Sequence, residues 1–270
     1  MTGKVIRLVL FLAVSAAAQE NSADFPPLET AILLKADTIM RVPQGGSAGR
    51  IKHIHPGGAS FTIDFTATRS DDNSLFIFYN KERAIQLEVL YTLGGENIHV
   101  YLMHARKLIR KTGADKYEPV LYTNFSYIDL SGYRLAANYT AALAGKETVN
   151  SKSCHKLELK PIFADSQYGR LTLYADEKDF LPLKIEFRGK DEILNKVLSL
   201  AKTARKADTI VPIRYEMRDI RSGDVSILVF NSFGGQIPPE KNLFLPENLP
   251  TGYRSAERAH DVQKTRGLGK

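Results

Sequence analysis

The hydrophobic and polar positions along the chain follow two different periods. Near the start, apolar residues recur every three or four positions up to Pro43, at Leu28, Ala31, Ile32, Ala36, Ile39 and Met40. This spacing is typical of one face of a helix. From Ser47 the period changes to two, and over residues 61–67 apolar side chains alternate with threonines and an aspartate. The pattern predicts one amphipathic helix followed by strands that have one buried and one hydrated face.

The same alternation returns along most of the chain. It predicts further strands at residues 75–79, 85–91, 98–102, 154–159, 168–176, 181–187, 213–219 and 225–233. Turn-forming pairs such as Gly57-Gly58 and Gly94-Gly95 fall between the runs, which is typical of consecutive hairpins. The sequence therefore predicts a mainly β fold of roughly ten short antiparallel strands.

Two segments depart from the alternation. Between Asn124 and about Gly145 alanines accumulate, and we expect short helices or a lid there. Residues 193–201 place five apolar side chains at helical spacing: Ile193, Leu194, Val197, Leu198 and Ala201. Periodicity alone predicts a helix over this second segment.

The N-terminus has the features of a secretory signal. Lys4 and Arg7 precede a short apolar run at residues 8–14, and Ala16-Ala17-Ala18 offers an A-x-A cleavage site. We expect a signal peptide at residues 1–18 and export to the periplasm. No run reaches the roughly 20 apolar residues that span a bilayer, and Cys154, the single cysteine, lies far from the cleavage point. The mature protein is therefore expected to be soluble and without a lipid anchor.

Length and charge limit the domain organisation and the partners. The hydrophobic fraction of 43% supplies a core for a single domain at residues 19–249, and the polar, basic residues 250–270 are expected to form a disordered tail. The formal net charge of +7 suits anionic lipid headgroups. No basic helix or aromatic platform motif is present, so we expect no nucleic-acid partner.

Several segments in order resemble the LolA-like family of outer-membrane lipoprotein-sorting proteins. They are Phe125-Ser-Tyr-Ile-Asp-Leu130, then residues 154–161, 168–174, 181–187, 212–217 and 243–249. The resemblance covers about residues 28–249. The chain departs from the family where members often carry a tryptophan and a proline, around residues 99–103, and where Tyr122-Thr123-Asn124 replaces a Gly-Ser-Asp. These departures leave the identity of the cargo open.

The resemblance implies a fold and a role. The fold is an incomplete (half) antiparallel β-barrel with an N-terminal helix and a helical lid, and in it residues 193–202 form a strand, against the periodicity. The role is that of a carrier which moves lipoproteins or lipids across the periplasm. Such a carrier takes acylated cargo from an inner-membrane transporter and delivers it to an outer-membrane acceptor. We expect a monomer without enzymatic activity.

An acyl chain needs a dry concavity, because each CH₂ left in water costs about 0.8 kcal/mol. We expect the lining to come from two strands and from the lid, at Leu75, Ile77, Ile98, Val100, Leu102, Phe125, Tyr127 and Leu130. Residues 75–79 are apolar on both faces, so Phe76 and Phe78 are the alternative inward pair. One face of this strand is expected to meet the leading helix and the other the cavity.

Candidate chemistry is sparse. His53 and His55 share one face of a strand, but no carboxylate or cysteine near them in sequence completes a metal site. Cys154 and His155 point to opposite faces of a strand, so the histidine does not activate the thiol. Nucleotide-binding, serine-hydrolase and zinc-protease motifs are absent from the sequence. We therefore predict no catalytic residues, no metal and no cofactor.

Three other functions are compatible with the sequence. The first is a lipid-sensing regulator of envelope stress that resembles RseB, although such sensors usually add a second domain. The second is a lipid-modifying enzyme, for which no catalytic set is recognisable. The third is a structural protein of the envelope.

Overall fold

A computed structural model describes residues 26–206, 209–233 and 241–249. The predicted signal peptide at residues 1–18 and the predicted tail at residues 250–270 lie outside these ranges. Among the helices that the structure describes, none is long and apolar enough to cross a membrane.

The described residues form three α-helices, four short 3₁₀ helices and thirteen strands. The α-helices are α1 (Leu28–Met40), α2 (Tyr127–Leu130) and α3 (Leu135–Asn138). The strands of the first half are β1 (Gly45–Ile54), β2 (Ser60–Ser70), β3 (Asn73–Tyr79), β4 (Ile85–Thr92), β5 (Asn97–Leu102) and β6 (Lys107–Lys111). Those of the second half are β7 (Tyr139–Val149), β8 (Lys152–Pro161), β9 (Arg170–Asp176), β10 (Pro182–Arg188), β11 (Leu194–Lys206), β12 (Thr209–Asp219) and β13 (Val225–Phe233).

All thirteen strands belong to one antiparallel sheet. Each half of the chain forms a meander in which consecutive strands pair, from β1 to β6 and from β7 to β13. Pairing of β1 with β13 joins the two meanders, and β6 and β7 form the two edges of the sheet. The sheet is therefore open, and the predicted half-barrel is confirmed.

The sheet curls strongly on itself. Tyr117 follows β6 and Tyr168 precedes β9, and their rings meet edge to face with centroids 5.0 Å apart. The strands beside them are ten places apart in the sheet, which in a flat sheet corresponds to roughly 48 Å. This curvature produces an inner face, on which the helices lie, and an outer face.

Helix α1 packs on the inner face, as its apolar spacing predicts. Its buried residues Ile32, Leu33, Ala36 and Ile39 belong to the main hydrophobic core, together with side chains from β1 to β5 and from β8 to β13. The Tyr215 hydroxyl on β12 donates a hydrogen bond to the Ile39 carbonyl at 3.2 Å, close to the C-terminal end of the helix. The helix is thus held against the second meander.

A smaller core lies on the outer face. Leu75, Ile77 and Tyr79 of β3 and Leu90 of β4 pack there against Leu243, Phe244 and Leu249. These last three residues belong to the closing segment at residues 241–249, which contains two short 3₁₀ helices. Strand β3 is apolar on both faces because each face is covered, one by this segment and the other by the main core.

The structure corrects the helix that periodicity predicts at residues 193–201. The segment is part of strand β11, as the family resemblance implies. Leu198 and Leu200 alternate on the inner face, whereas Ile193 is exposed in the preceding turn. Apolar residues on both sides of a strand reproduced the helical spacing by coincidence.

The structure also divides the alanine-rich middle segment. Residues 127–138 form the expected short helices, but Ala141, Ala142 and Ala144 lie in the edge strand β7. Alanine favours helices only weakly, and pairing with β8 overrides that preference. The sequence pattern also missed β6, whose residues are mostly polar and exposed.

The seam between the meanders depends on a residue without a side chain. Gly49 lies at a bulge in the β1–β13 pairing. A Cβ atom at this position would lie 2.6 Å from the Phe65 ring and 2.3 Å from the Val229 carbonyl oxygen. Glycine therefore allows the Phe65 ring to lie against the backbone of β1.

Candidate functional site

A lid closes part of the inner face. We define the lid as residues 119–138, which contain a turn, α2 and α3. A β-bridge joins Pro119 to Ser126, and the Val120 amide donates to the Phe125 carbonyl at 2.8 Å. The lid therefore starts with a small closed turn, and Tyr122 at its tip is 87% exposed.

Asp129 is the polar centre of the lid. Its side chain is fully buried and accepts hydrogen bonds from the Ser126 amide at 2.8 Å and from the Tyr133 and Tyr168 hydroxyls, each at 2.9 Å. It also forms an ion pair with Lys196 of β11. A buried carboxylate requires such partners, since an isolated buried charge is strongly unfavourable.

The two tyrosines remain hydrogen-bond donors at neutral pH. Burial, and next the charge on Asp129, raises the pKa of Tyr133 and Tyr168 well above the ordinary value. Both phenols therefore stay protonated. The ion pair with Lys196 of β11 and the Tyr168 hydrogen bond both attach the lid to the second meander, because Tyr168 lies two residues before β9.

A second attachment joins the lid to α1. The Asp37 carboxylate accepts the amides of Leu135 at 2.5 Å and Ala136 at 3.0 Å, which are the first two residues of α3. These amides lack partners within a short helix, so Asp37 supplies the cap from a distance. Burial raises the pKa of Asp37, and the two amides oppose that shift.

A third attachment fixes the start of the lid to the end of the sheet. The Asn124 side-chain amide donates to the carbonyls of Met217 at 3.1 Å and Asp224 at 2.8 Å. The Asn124 backbone amide donates to the Ser226 hydroxyl at 2.8 Å. Asn124 thereby connects the lid to both β12 and β13.

An apolar cavity lies between the lid and the inner face. Its walls are mainly apolar, from Met40, Val42, Phe76, Phe125, Leu130, Leu198, Leu228 and Phe230. Asp129, Tyr133 and Tyr215 supply its polar rim. The volume is about 30 Å³, far below the roughly 300 Å³ of a typical ligand pocket. With the lid in this position, the cavity is closed to an acyl chain.

A larger open cleft lies beside the lid, with a volume of about 330 Å³. It is bounded by the lid helices, by the turn at residues 94–96 and by the connection between β8 and β9. Tyr133 lines both the cleft and the closed cavity. Tyr133 therefore lies between the apolar interior and the open cleft.

The structure brings together some of the predicted lining residues. Phe125 and Leu130 line the cavity. Ile98 and Val100 are fully buried in the same core, and Leu102 packs against its border, but none of these three lines the cavity. Tyr127 is buried, and the Lys111 ammonium lies 4.9 Å from the centre of its ring.

The structure does not bring Leu75 and Ile77 to the cavity. They lie on the outer face beneath the closing segment, whereas the alternative pair, Phe76 and Phe78, faces inward. Of these residues, Phe76 lines the cavity. Its ring stacks on Phe78 at 5.8 Å and meets Tyr91 edge to face at 5.8 Å.

Sequence reasoning missed several lining residues, notably Met40, Leu198, Leu228 and Phe230. Leu228 and Phe230 alternate along β13 and could have been named from that period. Leu198 was not predicted as a lining residue because periodicity indicated a helix for its segment. Met40 is the last residue of α1. Its place at the cavity could not be predicted without knowing how the helix is oriented on the sheet.

Comparison with known proteins gives a family and a fold. A family model described as an uncharacterized protein matches residues 70–251, more than half of the chain. Among functionally curated proteins, none matches the sequence at a significant level.

Three solved structures share the architecture. A DUF1329 family protein from Desulfovibrio piger superposes with a TM-score of 0.72 at 18% identity, covering 82% of this chain and 97% of that one. An outer membrane lipoprotein-sorting protein domain from Vibrio parahaemolyticus gives 0.71 at 19% identity, with the same coverage of 82% and 97%. A LolA superfamily protein from Nitrosomonas europaea gives 0.66 at 22% identity, covering 80% and 97%. At these identities the likeness establishes the fold.

Proposed function

The chain belongs to the family of uncharacterized proteins whose model matches residues 70–251, and it has a LolA-like fold. From this premise we propose that it is a periplasmic carrier of acylated cargo, either lipoproteins or lipids. In this proposal the acyl chain is held between the inner face of the sheet and the lid. The protein binds and releases its cargo and catalyses no reaction. Its donor would be an inner-membrane transporter and its acceptor an outer-membrane component.

The observation that carries the proposal is the apolar cavity beneath the lid. A sheet that must bury its inner face usually does so against a second sheet or long helices. Here α1 covers part of that face, and a lid with two four-residue helices covers the rest. Because so short a cover adds little apolar packing of its own, it is suited to open and close.

The lid combines an apolar underside with polar attachments at its borders. Phe125 and Leu130 face the cavity, whereas Asn124 and Asp129 hold the lid to the sheet. Opening therefore requires a few polar contacts to break, after which water can solvate the freed groups. The apolar surface exposed by opening would be covered again by the acyl chain, at about 0.8 kcal/mol for each CH₂.

The entry route in this proposal passes Tyr133. Its ring lies between the open cleft and the closed cavity, and its hydroxyl is bound to Asp129 within the lid. A movement of α2 would carry the Asp129 carboxylate away and release the ring. The cleft and the cavity would then form one continuous site large enough for an acyl chain.

The test is a titration with a fluorescent fatty acid, with the wild-type protein compared with Met40→Lys. Met40 is partly buried at the C-terminal end of α1, where a lysine can reach water and where a cation is favoured by the helix dipole. A charge at the cavity wall disfavours hydrocarbon. We expect the variant to fold and to bind the fatty acid at least about tenfold more weakly, about 1.4 kcal/mol.

Leu34→Lys is the matched control, because Leu34 lies on the same helix and is 50% exposed. It should leave the affinity unchanged. If wild-type protein binds no acylated ligand at micromolar concentration, the carrier proposal fails. If both lysine variants bind equally well, the ligand occupies a site other than this cavity.

A further inference from the structure

Two histidines and a carboxylate meet at one end of the inner face, outside the cavity. His53 on β1 and His55, one residue beyond its end, point to the same side because strand residues alternate. Antiparallel pairing sets His53 opposite Ser226 of β13. Asp224, which immediately precedes β13, is thereby placed beside His55, 169 residues away in sequence.

The potential ligand atoms are close enough to share one ion. His55 Nδ1 lies 3.0 Å from Asp224 Oδ1, and His53 Nε2 lies 3.9 Å from Asp224 Oδ2. One such atom from each of the three residues falls within 4.8 Å of the others. Ligands at about 2.0 to 2.1 Å from a tetrahedral zinc ion are roughly 3.3 Å apart. Small side-chain rotations are enough to reach that geometry.

The other nitrogen of His53 already has a partner that orients the ring. Nδ1 lies 2.9 Å from the Ser226 hydroxyl, and this leaves Nε2 directed at the two other residues. A hydrogen bond on the second ring nitrogen is the usual support of a metal-binding histidine. Burial, and next the charge of His55, lowers the pKa of His53.

We propose that His53, His55 and Asp224 bind one divalent transition-metal ion, with zinc as the preferred metal. Two imidazoles and one carboxylate are a common zinc set, with a fourth position left for water. The fold supplies the carboxylate that the sequence lacked near the two histidines, and the prediction of no metal rested on that lack.

The position of this site suggests what the ion does. Ser226, which orients His53, also accepts the Asn124 amide at the start of the lid. An ion held here links β1, the turn between β12 and β13, and the base of the lid. It would stabilise the seam between the two meanders and restrict the lid, whether or not the cavity carries lipid.

The experiment uses the full chain without an affinity tag, freed of metal by chelator and titrated with Zn²⁺ against a chromophoric chelator. Thermal melts follow the same samples. We expect one equivalent to bind at micromolar or lower concentration and to raise the melting temperature. His55→Ala and Asp224→Asn should each weaken binding at least about tenfold and abolish the rise. The His55 side chain is 48% exposed and that of Asp224 is 20% exposed, so both variants should fold.

His104→Ala is the control, because His104 is exposed in the turn between β5 and β6. It should bind Zn²⁺ like the wild type. The proposal is overturned if the wild-type protein binds no Zn²⁺ at micromolar concentration. It is equally overturned if His55→Ala and Asp224→Asn both retain wild-type affinity. If one of the two variants fails to fold without metal, the Zn²⁺ affinity of the other variant tests the proposal.

Discussion

Lys196 of β11 and Asp129 of the lid form a buried ion pair, with side chains 12% and 0% exposed. The Lys196 ammonium also lies 5.0 Å from the centre of the Tyr168 ring and 5.1 Å from that of Phe187. The lysine is therefore enclosed by two aromatic faces and one carboxylate. This pair attaches the lid to the second meander.

Loss of the lysine charge should destabilise the fold. Lys196→Met keeps the length of the side chain but leaves Asp129 with a buried charge and no counter-ion. The expected loss in the free energy of unfolding is about 3 to 5 kcal/mol, measured by urea denaturation. The double variant Lys196→Met with Asp129→Asn should recover part of the loss, since both charges are then removed. A loss below about 1 kcal/mol would place the pair among weak surface contacts.

The lid should move when a ligand binds. Tyr122→Cys places a thiol at the exposed tip of the lid, where a fluorescent label can be attached. The native Cys154 is buried, and burial raises the pKa of its thiol, so it should not react. We expect the emission of the label to change on saturation with fatty acid, and to change less in the Met40→Lys background at the same ligand concentration. Saturation of the wild type without any change in emission would contradict lid movement.

Gly49 should not tolerate a side chain. Gly49→Ala would bring a methyl group against the Phe65 ring and the Val229 carbonyl. Overpacking of this kind should lower the free energy of unfolding by about 1 to 3 kcal/mol. Gly46→Ala is the control in the same strand, because a Cβ atom at Gly46 would have no atom within 4 Å of it beyond its chain neighbours. Its effect should stay within about 0.5 kcal/mol, and equal effects in the two variants would contradict the steric account.

Glu88 should make stability depend on pH. It is fully buried on β4, no hydrogen-bond partner for its carboxyl group is found among the described residues, and burial raises its pKa to about 8. In the unfolded chain its pKa is near 4.5. Between these values the folded state holds a proton that the unfolded state has lost, so stability falls as pH rises.

The measurement for Glu88 is urea unfolding of wild type and Glu88→Gln at about pH 5 and about pH 8, a range set by the two pKa values. The glutamine is uncharged and should remove this contribution. The variant should therefore gain stability relative to wild type as pH rises, by a few kcal/mol. If the difference in the free energy of unfolding between the two proteins is the same at both pH values, ionisation of Glu88 does not destabilise the fold.

The sequence by itself determined the mainly β architecture and most strand positions. The alternation over residues 61–67 and along β13 matches the structure because the apolar side of each strand is the buried side. The leading helix was readable for the same reason, since its apolar stripe must meet a core. The family resemblance supplied what periodicity could not, namely the strand at β11 and the incomplete barrel.

Only the tertiary structure decided which face of β3 meets the cavity. Alternation gives no answer for a strand that is apolar on both sides, and the closing segment at residues 241–249 had to be placed before Leu75 and Ile77 could be assigned to the outer face. The contacts between Asp129 and Lys196 and between His55 and Asp224 were also decided only by the tertiary structure. They join residues 67 and 169 positions apart, and no local pattern records such contacts because the curl of the sheet and the β1–β13 pairing create them.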